Sequence, residues 1–182
     1  MKQFLTNGPF PDFIAGKANG LDVFLQIHHS EDDNHIAELV NMVNRNQKDF
    51  SVYLDLGHYS NVDTAKKVIK QREELAKRGL YVDYAIQLFN GLTIGCISFT
   101  NKGDGSVTVT YYLDKQYRGQ GYISTALRMA EPEMKKLGFK KIILEINETN
   151  ESSIHVAKKN NYIFQETGCC MKDFIKDLQN GR

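Results

Sequence analysis

Gln116-Tyr117-Arg118-Gly119-Gln120-Gly121, within YYLDKQYRGQGYISTALRMA (111–130), has the residue types and spacing of an anion-binding turn. A β-rich run ends there and passes straight into a helical pattern. A helix N-terminus carries unpaired backbone N–H groups and about half a positive charge, so it holds a phosphate when the preceding turn lets the anion approach. Gly119 and Gly121 remove the side chains that would block that approach, and Arg118 adds a full charge on a forked donor. Two other phosphate loops are excluded by residue. A P-loop needs Gly-Lys-Ser/Thr, whereas Tyr122 and Ile123 follow Gly121. A dinucleotide fingerprint needs a parallel strand before it and its third glycine where Ser124 stands.

A second set of residues lies downstream. Asn150 precedes a helical stretch and fits its N-cap, with Ser153 three residues on. Glu145 lies on the strand-like run KKIILEI (140–146), and Lys158 and Lys159 close the helical stretch. With these motifs the sequence resembles the GNAT superfamily of acetyl-CoA-dependent N-acetyltransferases, whose signature Gln/Arg-x-x-Gly-x-Gly/Ala is matched by residues 116–121. More narrowly, YYLDKQYRGQGYIS, Asn150-x-x-Ser153 and VAKKNNYIFQETG resemble the RimJ/RimL group, which acetylates protein N-termini, including those of ribosomal proteins. Asn44-Arg45, at the end of the first helical pattern, extends the likeness to roughly residues 21–180.

The resemblance implies an α+β fold, a mixed, mostly antiparallel central sheet with helices on both faces. It implies acetyl-CoA as co-substrate and no metal. Leu113 and its neighbours would lend backbone to the pantetheine arm, and Arg118 through Tyr122, flanked by Gln116 and Ser124, would hold the pyrophosphate. The next strand would splay away to admit the thioester. Asn150 would touch the coenzyme, Lys159 would reach one of its phosphates, and Ser153 would protonate the departing thiolate. Many relatives carry a glutamate where this chain has Thr108 and a tyrosine where it has Ala157. Glu145 is the substitute candidate for the base, with His155 as the alternative, and Tyr53 and Tyr59 are candidates for the acceptor cleft.

The acceptor decides how strong a base is required. A protein α-amine with a pKa of about 7.7–8.0 costs about 1 kcal/mol to deprotonate at pH 7, whereas a lysine near 10.4 costs about 4.6 kcal/mol. An α-amine therefore tolerates a weak or water-relayed base.

The elements that must position these residues read as βααβββαβαβ. LDVFLQI (21–27) alternates as a strand. Ser30 with Asp33, and Ser60 with Asp63, predict the starts of two helices, the second stopping at Gly79. Asn90-Gly91 predicts a hairpin between two strands, and NKGDG (101–105) turns the chain into a third. Pro132 is expected to kink or break the helix that begins near Gly121. Residues 1–20 read as a turn-rich lead-in, and residues 21–182 as one domain. The chain ends at LQNGR without the final strand of relatives, which would leave a sheet edge for residues 1–10 or a partner to cover.

With 182 residues, Lys+Arg of 23 and Asp+Glu of 22, the formal charge is +1, so nothing draws the whole chain to nucleic acid or an anionic membrane. No membrane span or secretory leader is evident, and a cytoplasmic location is expected. Cys96, Cys169 and Cys170 lack metal-ligand spacing and are expected to be buried or idle thiols. The same holds for His28 and His29, expected to be structural or surface residues. Three functions stay open: transfer to a protein or peptide α-amine, transfer to a small amine such as a polyamine or an aminoglycoside-like drug, and non-catalytic acetyl-CoA sensing. A monomer and a homodimer are both compatible with the sequence.

Overall fold

The computed structural model of the chain describes residues 9–18, 20–165 and 170–179. Strands β1 (Phe13–Ala18) and β2 (Leu21–Ile27) form the first hairpin, and alternation in β2 buries Val23, Leu25 and Ile27 on one face. Helix α1 (Asp33–Arg45), the short α2 (Gln47–Phe50), a 3-10 turn (Gly57–Tyr59) and α3 (Val62–Lys77) follow. Then come β3 (Tyr81–Leu88), β4 (Thr93–Asn101) and β5 (Ser106–Leu113), a 3-10 turn (Lys115–Tyr117) and α4 (Tyr122–Lys136). The chain closes with β6 (Lys141–Asn147), α5 (Glu151–Lys159), β7 (Ile163–Gln165) and β8 (Met171–Asp177).

The strands form a single sheet in the order β1-β2-β3-β4-β5-β6-β8-β7, antiparallel except for the β5–β6 pair. Helices α1 and α3 cover one face, packing Ile36, Leu39, Met42 and Ile69 around Cys96 and Tyr112. On the other face α4 and α5 bury Ile123, Leu127, Met134 and Ile154 against β1, β2 and β6. With helices on both faces of the sheet, β4 is buried from Thr93 to Phe99.

Local signals set most boundaries. Gly91 takes φ +82° in the predicted hairpin turn. Gly79 follows the C-cap of α3 at φ +66°, and the Leu80 N–H donates to the Leu75 carbonyl at 2.9 Å, a Schellman closure. Both helix starts fall one or two residues beyond the predicted serines. Asp32 caps α1 by accepting from the His35 N–H at 3.0 Å, and Asn61 caps α3 by accepting from Thr64 at 2.9 Å. Ser30 instead donates its hydroxyl to Glu73 across the helix pair at 2.8 Å.

Three expectations are corrected. Residues 13–18 of the supposed lead-in form β1, an edge strand packed on α4. The absent final strand exists: Met171–Asp177 is β8, pairing β6 from Lys141–Asp177 to Asn147–Met171, and β7 takes the edge beyond it. Of residues 1–10, proposed to cover an open edge, Phe10 is buried in the core on the α4–α5 side, and residues 1–8 lie outside the described residues. Finally, α4 does not break at Pro132 but runs on to Lys136, which corrects one of the two outcomes expected there. Losing one intrahelical bond is outweighed there by Ala130 and Met134, both fully buried on either side of the proline. Among the described residues, no helix is long and apolar enough to cross a membrane.

Candidate functional site

Strands β5 and β6 pair in parallel over only three rungs, Ser106–Lys141, Val107–Ile142 and Thr108–Ile143. Beyond Thr108 they part. Strand β4 carries a bulge against β3: Ile86 faces Gly95 and Gln87 faces Thr93, so Ile94 is the extra residue. The Ile94 carbonyl accepts from the Asp114 N–H at 2.8 Å, just past the end of β5. Opposite the bulge, β4 and β5 approach closely, and a Cβ on Gly95 would lie 2.4 Å from the Tyr112 carbonyl.

The gap is a cavity of about 780 Å³. Val109–Leu113 line one side and Leu144–Asn147 the other, with α5 beneath and the Asp49–Leu54 segment over the mouth. The Tyr53 hydroxyl reaches the Thr149 carbonyl at 3.3 Å, bridging that segment to the β6–α5 turn.

The glycine turn sits at one end of this cavity. Gly119 and Gly121 have φ +76° and +86°, a left-handed backbone that L side chains resist, and no atom lies within 4 Å of where a Cβ on either would be. Gly121 is the N-cap of α4 and has no side chain with which to cap the first-turn N–H groups. Those N–H groups, at Tyr122, Ile123 and Ser124, belong to residues that line the cavity. They can accept an anion by the dipole and donor argument made from sequence.

A lock around the buried Asp114 carboxylate holds the turn in place. Arg45, at the end of α1, donates Nε to Asp114 Oδ2 at 2.9 Å, with a second, short contact from Nη2. Asp114 in turn caps the 3-10 turn through the Gln116 N–H at 3.2 Å, and Asn46 accepts from the Lys115 N–H at 3.0 Å. Burial alone would raise the Asp114 pKa. The bonds from Arg45, the Gln116 N–H and Asn46 outweigh it, and the carboxyl is held below its ordinary range. Asn44-Arg45 thus has a local reason: Arg45 ties α1 to the start of the glycine turn.

Of the residues expected from sequence to hold the coenzyme, Leu113, Arg118, Gly119, Gly121, Tyr122, Ser124, Asn150 and Lys159 line the cavity. Gln116 and Gln120 do not. They staple the turn, Gln120 Nε2 donating to the Gln116 carbonyl at 3.0 Å. Arg118 is partly committed as well: Nε donates to the Leu113 carbonyl and Nη1 to Asp49 Oδ2, each at 3.0 Å, while its guanidinium stacks 5.6 Å from the Phe50 ring centroid.

Both catalytic candidates reach the cavity, from opposite faces of the sheet. Ile142, Leu144 and Ile146 are buried on the α4–α5 side, so alternation turns Glu145 the other way. Its side chain is 48% exposed, with Lys102 Nζ at 4.0 Å and Asp173 as its cross-strand partner on β8. Ser153 is the third residue of α5, where the Asn150 side chain accepts from its N–H at 3.2 Å. His155 lines the cavity too, Thr108 sits on the last paired rung, and Ala157 is buried in the core.

The two tyrosine candidates separate. Tyr53 is at the mouth, but Tyr59 is buried away from it, donating to Asp83 Oδ2 at 2.6 Å beside Arg72. That cluster contains His28, whose Nδ1 lies 2.6 Å from His35 Nε2 and whose Nε2 lies 3.4 Å from Cys96 Sγ. His28 is a core residue and His29 an exposed one beside Glu73. Cys96 is buried, Cys170 is exposed, and Cys169 falls outside the described residues. Residues not anticipated at the cavity include Asp49, Phe50, Tyr111 and Met171. Only the alternation of Val109, Tyr111 and Leu113 hinted at one of them.

Residues 25–162 match the family profile described as acetyltransferase (GNAT) domain. None of the curated proteins matches the sequence. Among solved structures, the chain resembles a RimL ribosomal-protein alpha-N-acetyltransferase in complex with coenzyme A, at 16% identity and a TM-score of 0.78 over 95% of this chain and 99% of that one. It also resembles Mycobacterium smegmatis RimJ in complex with CoA-disulfide, at 16% identity and a TM-score of 0.78, covering 94% and 90% of the two chains. The microcin self-immunity acetyltransferase MccE, in complex with acetyl-CoA and AMP, is similar at 15% identity and a TM-score of 0.74, covering 94% and 96%.

Proposed function

Because the chain belongs to the GNAT acetyltransferase family, whose members use acetyl-CoA, we propose that it transfers an acetyl group to the α-amine of a protein or peptide N-terminus, by direct attack in a ternary complex. The observation that carries this reading is the uncapped start of α4 behind Gly119 and Gly121, opening onto the cavity where β5 and β6 part. Those residues suit acetyl-CoA. The N–H groups of Tyr122 to Ser124 would receive the pyrophosphate, Lys159 a further phosphate, and the unpaired edge of β5 near Leu113 the pantetheine arm.

The chemistry needs a neutral amine, a hydrogen-bond donor facing the oxygen where negative charge develops, and a proton for the thiolate. Glu145 on one face and Ser153 on the other fit base and acid, because the amine and the departing sulfur occupy opposite sides of the acyl carbon. An α-amine asks for no strong base. The RimL and RimJ likenesses favour the same acceptor class. A second acceptor, a small cationic amine, is favoured by the direct pairing of Glu145 with Asp173.

Calorimetry with coenzyme A, followed by thiol release from acetyl-CoA over N-terminal peptides, a polyamine and an aminoglycoside, tests the proposal. Peptide turnover supports it, turnover of the polyamine or aminoglycoside alone selects the second acceptor, and binding without turnover of any amine favours a sensor. No heat with coenzyme A sinks all three.

A further inference from the structure

Asn160 is the C-cap of α5, and its buried side chain ties that helix to the first turn of α4. Oδ1 accepts from Arg128 Nη1 at 3.3 Å. Nδ2 donates both its hydrogens, to the Val156 carbonyl at 2.7 Å and to Ser124 Oγ at 2.9 Å. Chemistry fixes that orientation of the amide. A guanidinium can only donate, so Oδ1 turns to Arg128, and a carbonyl can only accept, so Nδ2 turns to Val156. Arg128 is steadied in turn by Thr125, whose Oγ1 accepts from Nη2 at 3.1 Å.

Ser124 is the third residue of α4, is buried, and lines the cavity with Gly121 and Tyr122. Helix side chains tilt towards the N-terminus, which sets its hydroxyl over the uncapped first turn. Resting on acetyl-CoA as the ligand of that turn, as proposed above, we infer that Asn160 is a positioning residue for the coenzyme diphosphate: it fills one lone pair of Ser124 Oγ from the core and leaves the hydroxyl hydrogen to be donated to a phosphate oxygen.

A serine hydroxyl has one hydrogen and two lone pairs, so the partner on its core side decides what it offers the cavity. An acceptor at position 160 would draw the hydrogen inwards and turn lone pairs towards the anion. An amide N–H there does the reverse, and Ser124 adds a side-chain donor to the backbone N–H groups of Tyr122 to Ser124. Hydrogen bonds to a charged group are the stronger kind, so the placing of this one hydrogen carries a measurable share of the coenzyme's affinity. Nothing local in the sequence marks the pair, because 36 residues separate Ser124 from Asn160.

The test is a cycle of the parent chain, Ser124→Ala, Asn160→Ala and the double variant. Each is titrated with coenzyme A by calorimetry, assayed for thiol release from acetyl-CoA, and followed in thermal unfolding. Ser124→Ala should weaken coenzyme A binding by about tenfold, and Asn160→Ala by about threefold to tenfold. In the Ser124→Ala background Asn160→Ala should cost no further affinity, because the amide acts on the coenzyme only through the hydroxyl. Its unfolding temperature should fall in both backgrounds, since the bonds to Val156 and Arg128 are lost in each. A purely structural role would carry the affinity loss into both backgrounds as well. In turnover, the KM for acetyl-CoA should rise while kcat stays within about twofold. Should Asn160→Ala fail to fold, Asn160→Asp keeps the size and the Arg128 contact but has no N–H for Ser124, and its affinity loss should shrink when Ser124 is absent. Unchanged binding by Ser124→Ala, or an equal loss with and without Ser124, overturns the role of Asn160 and leaves the acetyltransferase reading standing. No heat from the parent chain with coenzyme A overturns both.

Discussion

His28 makes the folded state acid-sensitive, and the size of the effect follows from its surroundings. It is 2% exposed and its pKa falls from 6.5 to about 4. Burial is the main cause, Asp83 on β3 opposes it, and His35 on α1, Arg72 on α3 and His29 reinforce it. Cys96 on β4 faces the same ring. In the unfolded chain His28 takes up its proton near pH 6.5, and in the folded protein only near 4, so the unfolded state binds more protons between the two values. Stability from this group is therefore complete above about pH 6.5 and drains away as the pH falls towards 4. At about 1.4 kcal/mol per pH unit, the loss between about pH 7.5 and about pH 4.5 comes to about 2.5 kcal/mol. Urea unfolding followed by far-ultraviolet circular dichroism across that range, for the parent and for His28→Gln, isolates it. His58, also lowered chiefly by burial, titrates in both proteins and cancels in the difference, whereas His35, 2.6 Å from the His28 ring, belongs to the same effect. The stability gap between parent and variant should shrink by about 2.5 kcal/mol on acidification. Parallel curves for the two proteins would show that His28 already carries its proton in the core, and the reasoning from burial would be wrong.

Three further outcomes follow from the geometry around the cavity. Gly95→Ala forces a Cβ against the Tyr112 carbonyl at 2.4 Å, and should cost about 1–3 kcal/mol in thermal unfolding while weakening coenzyme A binding by shifting β5. Arg45→Ala leaves the buried Asp114 carboxylate without its cation; a loss of about 1.5–3 kcal/mol is expected in denaturant unfolding, with a matching loss of coenzyme A affinity by calorimetry. Ser153→Ala should lower turnover well beyond any change in coenzyme A affinity, and equal turnover in parent and variant would remove Ser153 as the acid.

Features that depend on a few adjacent residues were legible in the amino-acid sequence. Asn90-Gly91, Gly79 and the Gly119–Gly121 turn each impose a local backbone geometry, and each took the expected form. The family resemblance rested on such segments, and so did the siting of Ser153 and Glu145 beside the cavity. The elements missed are those whose pattern carries little apolar information. In β8, MKDFIKD, only Phe174 is buried, so no period-two signal marks it, and it exists because β6 offers it a full ladder. In β1 the alternation is interrupted at Gly16, where Met129 of α4 lies so close that a Cβ would meet it at 2.5 Å.

The sequence alone determined the glycine turn that the family resemblance rests on, because such a turn is a property of consecutive residues whose backbone angles only glycine readily adopts. Tertiary structure decided what surrounds that turn. Asp49 meets Arg118 across 69 residues and Tyr53 meets Thr149 across 96. Such contacts are set by how the sheet twists, bulges and parts, and those are long-range outcomes of packing that no short stretch of residues encodes.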